Sequence, residues 1–441
     1  MHMNALITDH RHSNVNDATI AKLGTRLLSE IIRINQAQTL GYDTDYAFVN
    51  IVNDAKLFDE IKELVHAKQR LKPTIMLVVG IGGSNLGTLA IQQALYGLFY
   101  NEHDPEIKVY YLDTVDSDYT NDILLLAQQA LEKDETVLLN IISKSGTTTE
   151  SIANFEIFLN LFKSYYEDEY KHYIIVTSDH GSALWQLAQD EQFATLTIPK
   201  KLGGRYSVFS AVGLFPLAMI GVDIYQLLRG AQSAIPNALT TDIFENKAAL
   251  SAAHMYAHYK QQIAIHNFFI FSVDLQGIGA WYRQLMGESI GKAQLRSGEK
   301  AAIGILPTTS IGSTDLHSMV QFYLAGPNST YTTFLSVETN KSDLIIPAQQ
   351  QFEKIVHNIQ DKSLATIMRA ILHGAFQAYQ EKNRPFSTIT LQEKSAYCIG
   401  QLLQFKMFEI IYLAALLSIS PFDQNEVELY KQATRKILAH E

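Results

Sequence analysis

Cysteine is nearly absent: Cys398 is the only one in 441 residues. No intramolecular disulfide can form, and the chain is expected to fold without covalent staples in a reducing, cytoplasmic setting. Basic residues are in deficit. Lys and Arg number 35 against 45 Asp and Glu, a formal charge of −10 with no basic run to offset it, which opposes non-specific binding to nucleic acid. Long apolar runs are missing as well. The most apolar late stretch, Phe408 to Ser418, is far below the ~20 residues of a membrane span and reads as a buried helix. The opening residues MHMNALITDHRHSNVND lack the basic start and apolar middle of a signal peptide. A soluble protein with no nucleic-acid or membrane partner is expected.

What is present is a 47% apolar fraction, enough for a sizeable core and two or three domains. Short apolar runs alternate with longer helical patterns, the signature of parallel sheets covered on both faces. Strands are predicted at Thr74–Val79, Lys108–Leu112, Val137–Ile142, Tyr173–Thr177 and Ala194–Ile198, a first doubly wound α/β domain over residues 51–223. A helical stretch from Ile224 to Gln262 leads into a second, over residues 224–420. Its predicted strands are Asn267–Ser272, Ala302–Leu306, Thr332–Val337 and Ser387–Leu391, with helices from Leu364 to Lys382 and Ser395 to Ser418. Residues 1–50 and 421–441 read as helical arms.

The most informative stretch is Ser143-Lys144-Ser145-Gly146-Thr147-Thr148-Thr149-Glu150, between a predicted strand and a predicted helix. Free N–H groups at a helix start, together with the helix dipole, favour an anion. Lys144 adds charge, and Glu150 argues for one small anionic end, such as a phosphomonoester. An ordinary N-cap is the plainer reading, but a cap needs one hydroxyl and here there are five. A second contact point is Gly80-Ile81-Gly82-Gly83-Ser84-Asn85-Leu86-Gly87. It fits a dinucleotide fingerprint poorly, with Asn85 at the sixth position and Asp113 too distant, and no Gly-Lys-Ser/Thr follows to make a P-loop.

Gly203-Gly204-Arg205 lets the backbone come close and delivers a guanidinium suited to oxyanion charge; a structural salt bridge is the alternative. Gln284 and Glu288 share one helix face. Glu288 falls in the last turn, where the dipole raises a carboxylate's pKa toward that of a general base, unless it merely pairs with Lys292. If Thr314 caps a helix, His317 falls in its first turn, where the neutral imidazole is favoured. Asp423 and Glu426 are expected to cap a last helix, on which Lys431 either faces a cleft or snorkels to solvent. His254 and His258 are spaced as in a zinc helix, but Met255 replaces the glutamate, and His10 and His12 lie in a polar tail, so no metal site is expected.

In kind and order these motifs resemble the glucose-6-phosphate isomerase family in its shorter bacterial form, from about Thr74 to Lys431. The most specific element is Gly203-Gly204-Arg205-Tyr206-Ser207 followed by Ser210-Ala211-Val212-Gly213-Leu214. Tyr430, before Lys431, departs from the glycine of the larger enzymes. The resemblance implies two sugar-isomerase (SIS) domains and a homodimer in which His317 enters the neighbouring subunit's site. It implies interconversion of glucose 6-phosphate and fructose 6-phosphate, in glycolysis and gluconeogenesis, with no cofactor. Phosphate would be held by Ser143, Lys144, Ser145, Thr147 and Thr148, with Gly83, Ser84, Gly204 and Gln284 at the sugar. His317 and Lys431 would open the ring, Glu288 would move the proton and Arg205 would stabilise the developing charge. A non-catalytic sugar-phosphate sensor, another SIS enzyme and a dehydrogenase are the rivals; the sensor has no need of Glu288, Arg205 and His317 together.

Overall fold

The computed structural model describes residues 5–348 and 355–440. Twelve strands form among them: β1 Leu6–Asp9, β2 Pro73–Val79, β3 Lys108–Leu112, β4 Thr136–Ser143, β5 Ile174–Asp179, β6 Ala194–Ile198, β7 Ile265–Ile270, β8 Lys292–Gln294, β9 Lys300–Ile303, β10 Leu306–Ile311, β11 Thr330–Thr339 and β12 Phe386–Glu393. The first sheet has the order β3-β2-β4-β5-β6 and is parallel throughout. The second has the order β1-β12-β11-β7-β10, with only the edge strand β1 antiparallel. Strands such as Leu77-Val78-Val79 and Leu138-Leu139 are buried on both faces, which is why they read as unbroken apolar runs.

Three expectations need correction. The first fifty residues are not all helical, because Leu6–Asp9 pairs with β12; four residues are too few for a periodicity to register. The strand expected at Ala302–Leu306 straddles a break between β9, half of a small hairpin with β8, and β10. The final helix runs Val427–Leu438, and neither Asp423 nor Glu426 caps it; Asp423 instead pairs with Lys292 at 2.7 Å.

The two halves are locked by close helix crossings. A Cβ on Gly277 would come within 2.8 Å of Ala90 Cα, and one on Gly87 within 3.6 Å of Trp281 Cδ1. Helix Gln276–Ile290 from the second half therefore lies directly on helix Leu86–Tyr96 from the first. Helix Ala396–Leu416 is long and apolar enough to cross a membrane, but it is 89% buried inside the protein and longer than the apolar stretch expected from Phe408 to Ser418. It carries a fully buried ion pair, Lys406–Glu409 at 2.9 Å. Ser251 and Tyr282 also donate to the Glu409 carboxylate, so the buried charge has the partners it needs.

The histidines of the N-terminal tail and of helix Lys247–Lys260 meet in this core. His10 stacks on His254 at 4.6 Å, Ser13 Oγ bonds His254 Nδ1 at 2.8 Å, and His258 Nε2 lies 2.8 Å from the Ser13 carbonyl. Burial holds His10 and His258 down to about 4, against ~6.5 in an unfolded chain. Between those values the unfolded chain takes up protons that the folded one refuses. Stability is therefore full above the unfolded value and falls as pH drops toward the folded one. The unfolding free energy from urea titrations between pH 7.5 and 5 should decline by roughly 1–2 kcal/mol for each of the two histidines, with a matching fall in the midpoint, and His10→Phe should flatten that slope. A midpoint independent of pH would contradict this account.

Candidate active site

In an open α/β sheet, ligands bind at the carboxyl ends of strands where the order reverses. In the first sheet that point lies between β2 and β4, and the two motifs richest in glycine and hydroxyls emerge there. The Ser143–Thr148 turn leads into helix Thr149–Tyr166. Thr148 is its N-cap residue, yet no side chain caps the helix. The hydroxyls bond one another instead: Ser143 to Thr148 at 3.0 Å, and Thr147 to Ser145 at 3.3 Å. The first-turn N–H groups find no acceptor among the described residues, so the ordinary-cap reading fails and an anion-binding end is left open. Lys144 is half-buried, and its ammonium makes no hydrogen bond among the described residues. Desolvation pulls its ammonium below the usual lysine range, and Asp179 opposes that shift.

The glycine loop packs beside this turn. A Cβ on Gly80 would meet Ser84 Cβ at 2.8 Å and the Ile142 carbonyl at 3.1 Å, so Ser84 lies against the end of β4. Asn85 Nδ2 donates to Asp113 at 3.0 Å; the acid considered for a dinucleotide ribose is tied to the loop itself. Gly83 sits against the second glycine pair, and its Cβ would lie 2.3 Å from Gly204 C and O. Gly82 borders Gln284, 2.8 Å from its Nε2 on the same measure.

Gln284 and Glu288 project from the last two turns of helix Gln276–Ile290. Gln284 Nε2 donates to Glu288 Oε1 at 3.1 Å, and Arg205 Nη1 donates to Glu288 Oε2 at 3.2 Å. The buried Gln284 Oε1 has no partner among the described residues and is free to accept from a hydroxyl. Lys292 does not pair with the Glu288 carboxylate; it donates to the Glu288 carbonyl at 3.0 Å and to Asp423. A cleft of about 540 Å³ opens on Glu288, between the β8–β9 hairpin and residues 420–427.

Arg205 is 2% exposed and every donor is engaged. Nε bonds Ser289 Oγ at 2.8 Å. Nη1 bonds Glu288 and Gln424 Oε1, the latter at 2.8 Å. Nη2 bonds the carbonyls of Pro421 and Asp423. Sequence reasoning misses Gln424, Ser289 and the Asp423 carbonyl as partners of this guanidinium; their one sequence signal is the polar run Asp423-Gln424-Asn425 after an apolar helix.

Two further expected residues make no hydrogen bond or ion pair to Glu288 among the described residues. Thr314 caps no α-helix: Thr314–Leu316 is a single 3₁₀ turn and His317 follows it, exposed and with no side-chain hydrogen bond among the described residues. Lys431 pairs with Glu428 at 2.9 Å, one turn beyond Val427 at the cleft wall.

An uncapped, hydroxyl-rich turn at the switch point of one sheet, joined through glycine contacts to a carboxylate on a helix of the other half, matches a two-sheet protein of the sugar-isomerase class. The profile of the phosphoglucose isomerase family matches residues 66–441. A probable glucose-6-phosphate isomerase of Methanococcus maripaludis is 32% identical over 410 residues, 93% of this chain and 87% of its own. A hypothetical protein of Thermus thermophilus, 28% identical, superposes with a TM-score of 0.87 over 98% of this chain and 100% of its own. A glucose-6-phosphate isomerase of Chlamydia trachomatis, 20% identical, shares the fold with a TM-score of 0.82 over 99% of this chain and 89% of its own. The chain belongs to the phosphoglucose isomerase family.

The two glycines at the loop contact should differ sharply on substitution. Gly83→Ala drives a methyl into the Gly204 carbonyl and should cost about 1–3 kcal/mol of stability, with a fall in kcat/KM. At Gly204 a Cβ meets only Gly83 Cα, at 4.0 Å, so Gly204→Ala should melt near the parent temperature. Equal melting temperatures for the two variants would contradict the packing described.

Proposed function

We propose that the protein interconverts D-glucose 6-phosphate and D-fructose 6-phosphate by opening the sugar ring and moving one proton between C2 and C1 through a cis-enediol. The observation that carries this reading is the run of close approaches from Ile142, which directly precedes the uncapped turn, through Gly80–Ser84 and Gly82–Gln284, to the Glu288 carboxylate. One end suits a phosphate monoanion or dianion; the other suits a proton carrier.

The phosphate sits on the free N–H groups of helix Thr149–Tyr166, with the Ser143, Ser145, Thr147 and Thr148 hydroxyls around it and Lys144 behind. Ser84 and the backbone at Gly83 and Gly204 border the sugar. Gln284 accepts from a sugar hydroxyl through its free Oε1. Glu288 takes the proton from C2 and returns it to C1. The transfer is redox-neutral and internal, so its balance needs no external electron acceptor. Arg205 acts first as a fixed positive charge beside Glu288; a direct hydrogen bond to the enediolate requires Glu288 or Gln424 to release a donor.

Ring opening falls to His317 and Lys431. The exposed, unengaged imidazole supports a homodimer in which each subunit lends His317 to the other's site. Lys431 reaches the cleft when it exchanges Glu428 for substrate. The fold and the single cysteine are consistent with a cytoplasmic enzyme.

Fructose 6-phosphate incubated in deuterated water without added cofactor should yield aldose carrying deuterium at C2. Glu288→Gln should lower kcat by about 10²–10⁴ with little change in KM, and a variant with normal turnover removes Glu288 from the mechanism. Ser145→Ala and Thr148→Ala should chiefly raise KM, because phosphate grip is felt in ground and transition states alike. Loss confined to kcat would move the phosphate elsewhere.

A further inference from the structure

The second sheet has a switch point of its own, between β7 and β11. In sequence β7 is followed by β10 on one side and then by β11 on the other. By the rule that places ligands in the first sheet, the carboxyl ends of β7 and β11 should also border a ligand crevice. A cleft of about 390 Å³ lies there, between the residues that follow β7, the end of β11, β12 and one face of helix Leu364–Glu381. None of the residues assigned above to isomerisation lines it.

Its chemistry differs from that of the first crevice. The helix that starts here is already capped, because Ser363 accepts from Thr366 N and Asp343 accepts from Ala365 N at 3.0 Å. No free N–H cluster awaits a phosphate. Asp274, Glu338 and Asp343 all line the cleft; Asp274 is paired with Lys394 and Asp343 with the helix start, so the remaining negative charge disfavours a dianion more strongly than a monoanion. One wall is apolar and aromatic, from Phe271, Met368, Leu372 and Phe376. Across it, the Ser336 and Thr390 hydroxyls lie 3.2 Å apart. Lys394 is consumed by an ion pair with Asp274. Arg369, which also lines the cleft, makes no hydrogen bond among the described residues; its charge is felt at Asp343, whose oxygen is already held by the helix start. A planar guanidinium with free donors is matched to a carboxylate.

We propose that this second crevice binds a small organic monocarboxylate with an apolar or aromatic body. The carboxylate lies on Arg369, the body lies against Phe271 and Phe376, and the hydroxyls of Ser336 and Thr390 meet its polar edge. The site is separate from the isomerase centre, and the inference goes beyond the proposed activity.

The test uses the full chain and 3-phenylpropanoate as probe, followed by saturation-transfer NMR and titration. Saturable binding should persist when the isomerase centre is filled with fructose 6-phosphate. The neutral analogue 3-phenylpropanamide and inorganic phosphate should both bind more weakly at this site. Arg369→Gln should weaken the probe roughly tenfold, the loss of a charge-assisted hydrogen bond. Met368→Trp, which fills the cleft from a partly exposed helix position, should abolish binding. Both variants should keep the parent isomerase rate, which also reports that they fold. The proposal is overturned by no saturation up to the probe's solubility limit, by displacement with fructose 6-phosphate, or by an Arg369→Gln affinity equal to the parent's. Because isomerase turnover is measured separately, failure here leaves the proposed reaction standing, and failure of the reaction leaves this site standing.

Discussion

The buried guanidinium of Arg205 is the constraint on which the site depends. Five donors on the Gly203-Gly204-Arg205 loop meet five acceptors on two other pieces: the end of helix Gln276–Ile290, through Ser289 and Glu288, and the turn at 421–424. A charge this deeply buried is tolerable only when every donor is satisfied, so the three pieces cannot drift apart independently. The arrangement fixes Glu288 from one oxygen while Gln284 fixes it from the other. It also anchors the base of the last helix, whose remaining length lies on the surface with no buried residue. Lys431 therefore rides on a segment that is held firmly at one end only.

Glycine decides how closely the parts approach. At Gly83, Gly87 and Gly277 a side chain would strike backbone or a packed residue well inside contact distance. These positions let a loop of the first half touch the Gly203-Gly204-Arg205 loop and let helices from the two halves cross closely. The hydroxyl-rich turn and the Glu288 carboxylate are thereby linked through glycine contacts although they come from separate sheets. Each sheet also reverses its strand order once, at the kind of point where open α/β sheets take ligands. The two switch points share topology but not chemistry. In the first, a helix start is left uncapped beside hydroxyls and a lysine. In the second, the helix start is capped by Ser363 and Asp343, and an aromatic wall stands beside an unengaged arginine.

The core carries its own polar interior. Lys406 and Glu409 sit within the long apolar helix Ala396–Leu416, with Lys406 Nζ 4.6 Å from the Tyr282 ring centroid. Tyr282 lies on the helix that bears Glu288 and also meets His266 at 3.3 Å. Buried groups of this kind contribute little net stability, but their directional bonds fix the rotation of helix Gln276–Ile290 about its axis, a setting that apolar packing alone leaves less defined.

The first sheet was legible in the sequence, because a strand buried on both faces announces itself as an apolar run, and β2 to β6 each begin within one residue of the expected position. The hydroxyl turn, the glycine loops and the Gln284–Glu288 pair were legible for a similar reason: each is a local pattern whose chemistry follows from residue type and spacing. Strand β1, the break before β10 and the fate of Asp423 were not legible. A four-residue edge strand has too short a period, and Asp423 is claimed by a lysine more than a hundred residues away. The histidines at 10 and 254 looked unrelated in sequence and stack in space. By itself the sequence determined the elements and the inventory of reactive groups, since these follow from local propensity and patterning. Only the tertiary structure decided which of those groups meet, that Arg205 has no donor to spare, and that Lys431 pairs with Glu428. The first two outcomes depend on packing and charge burial between distant segments, which no local pattern encodes.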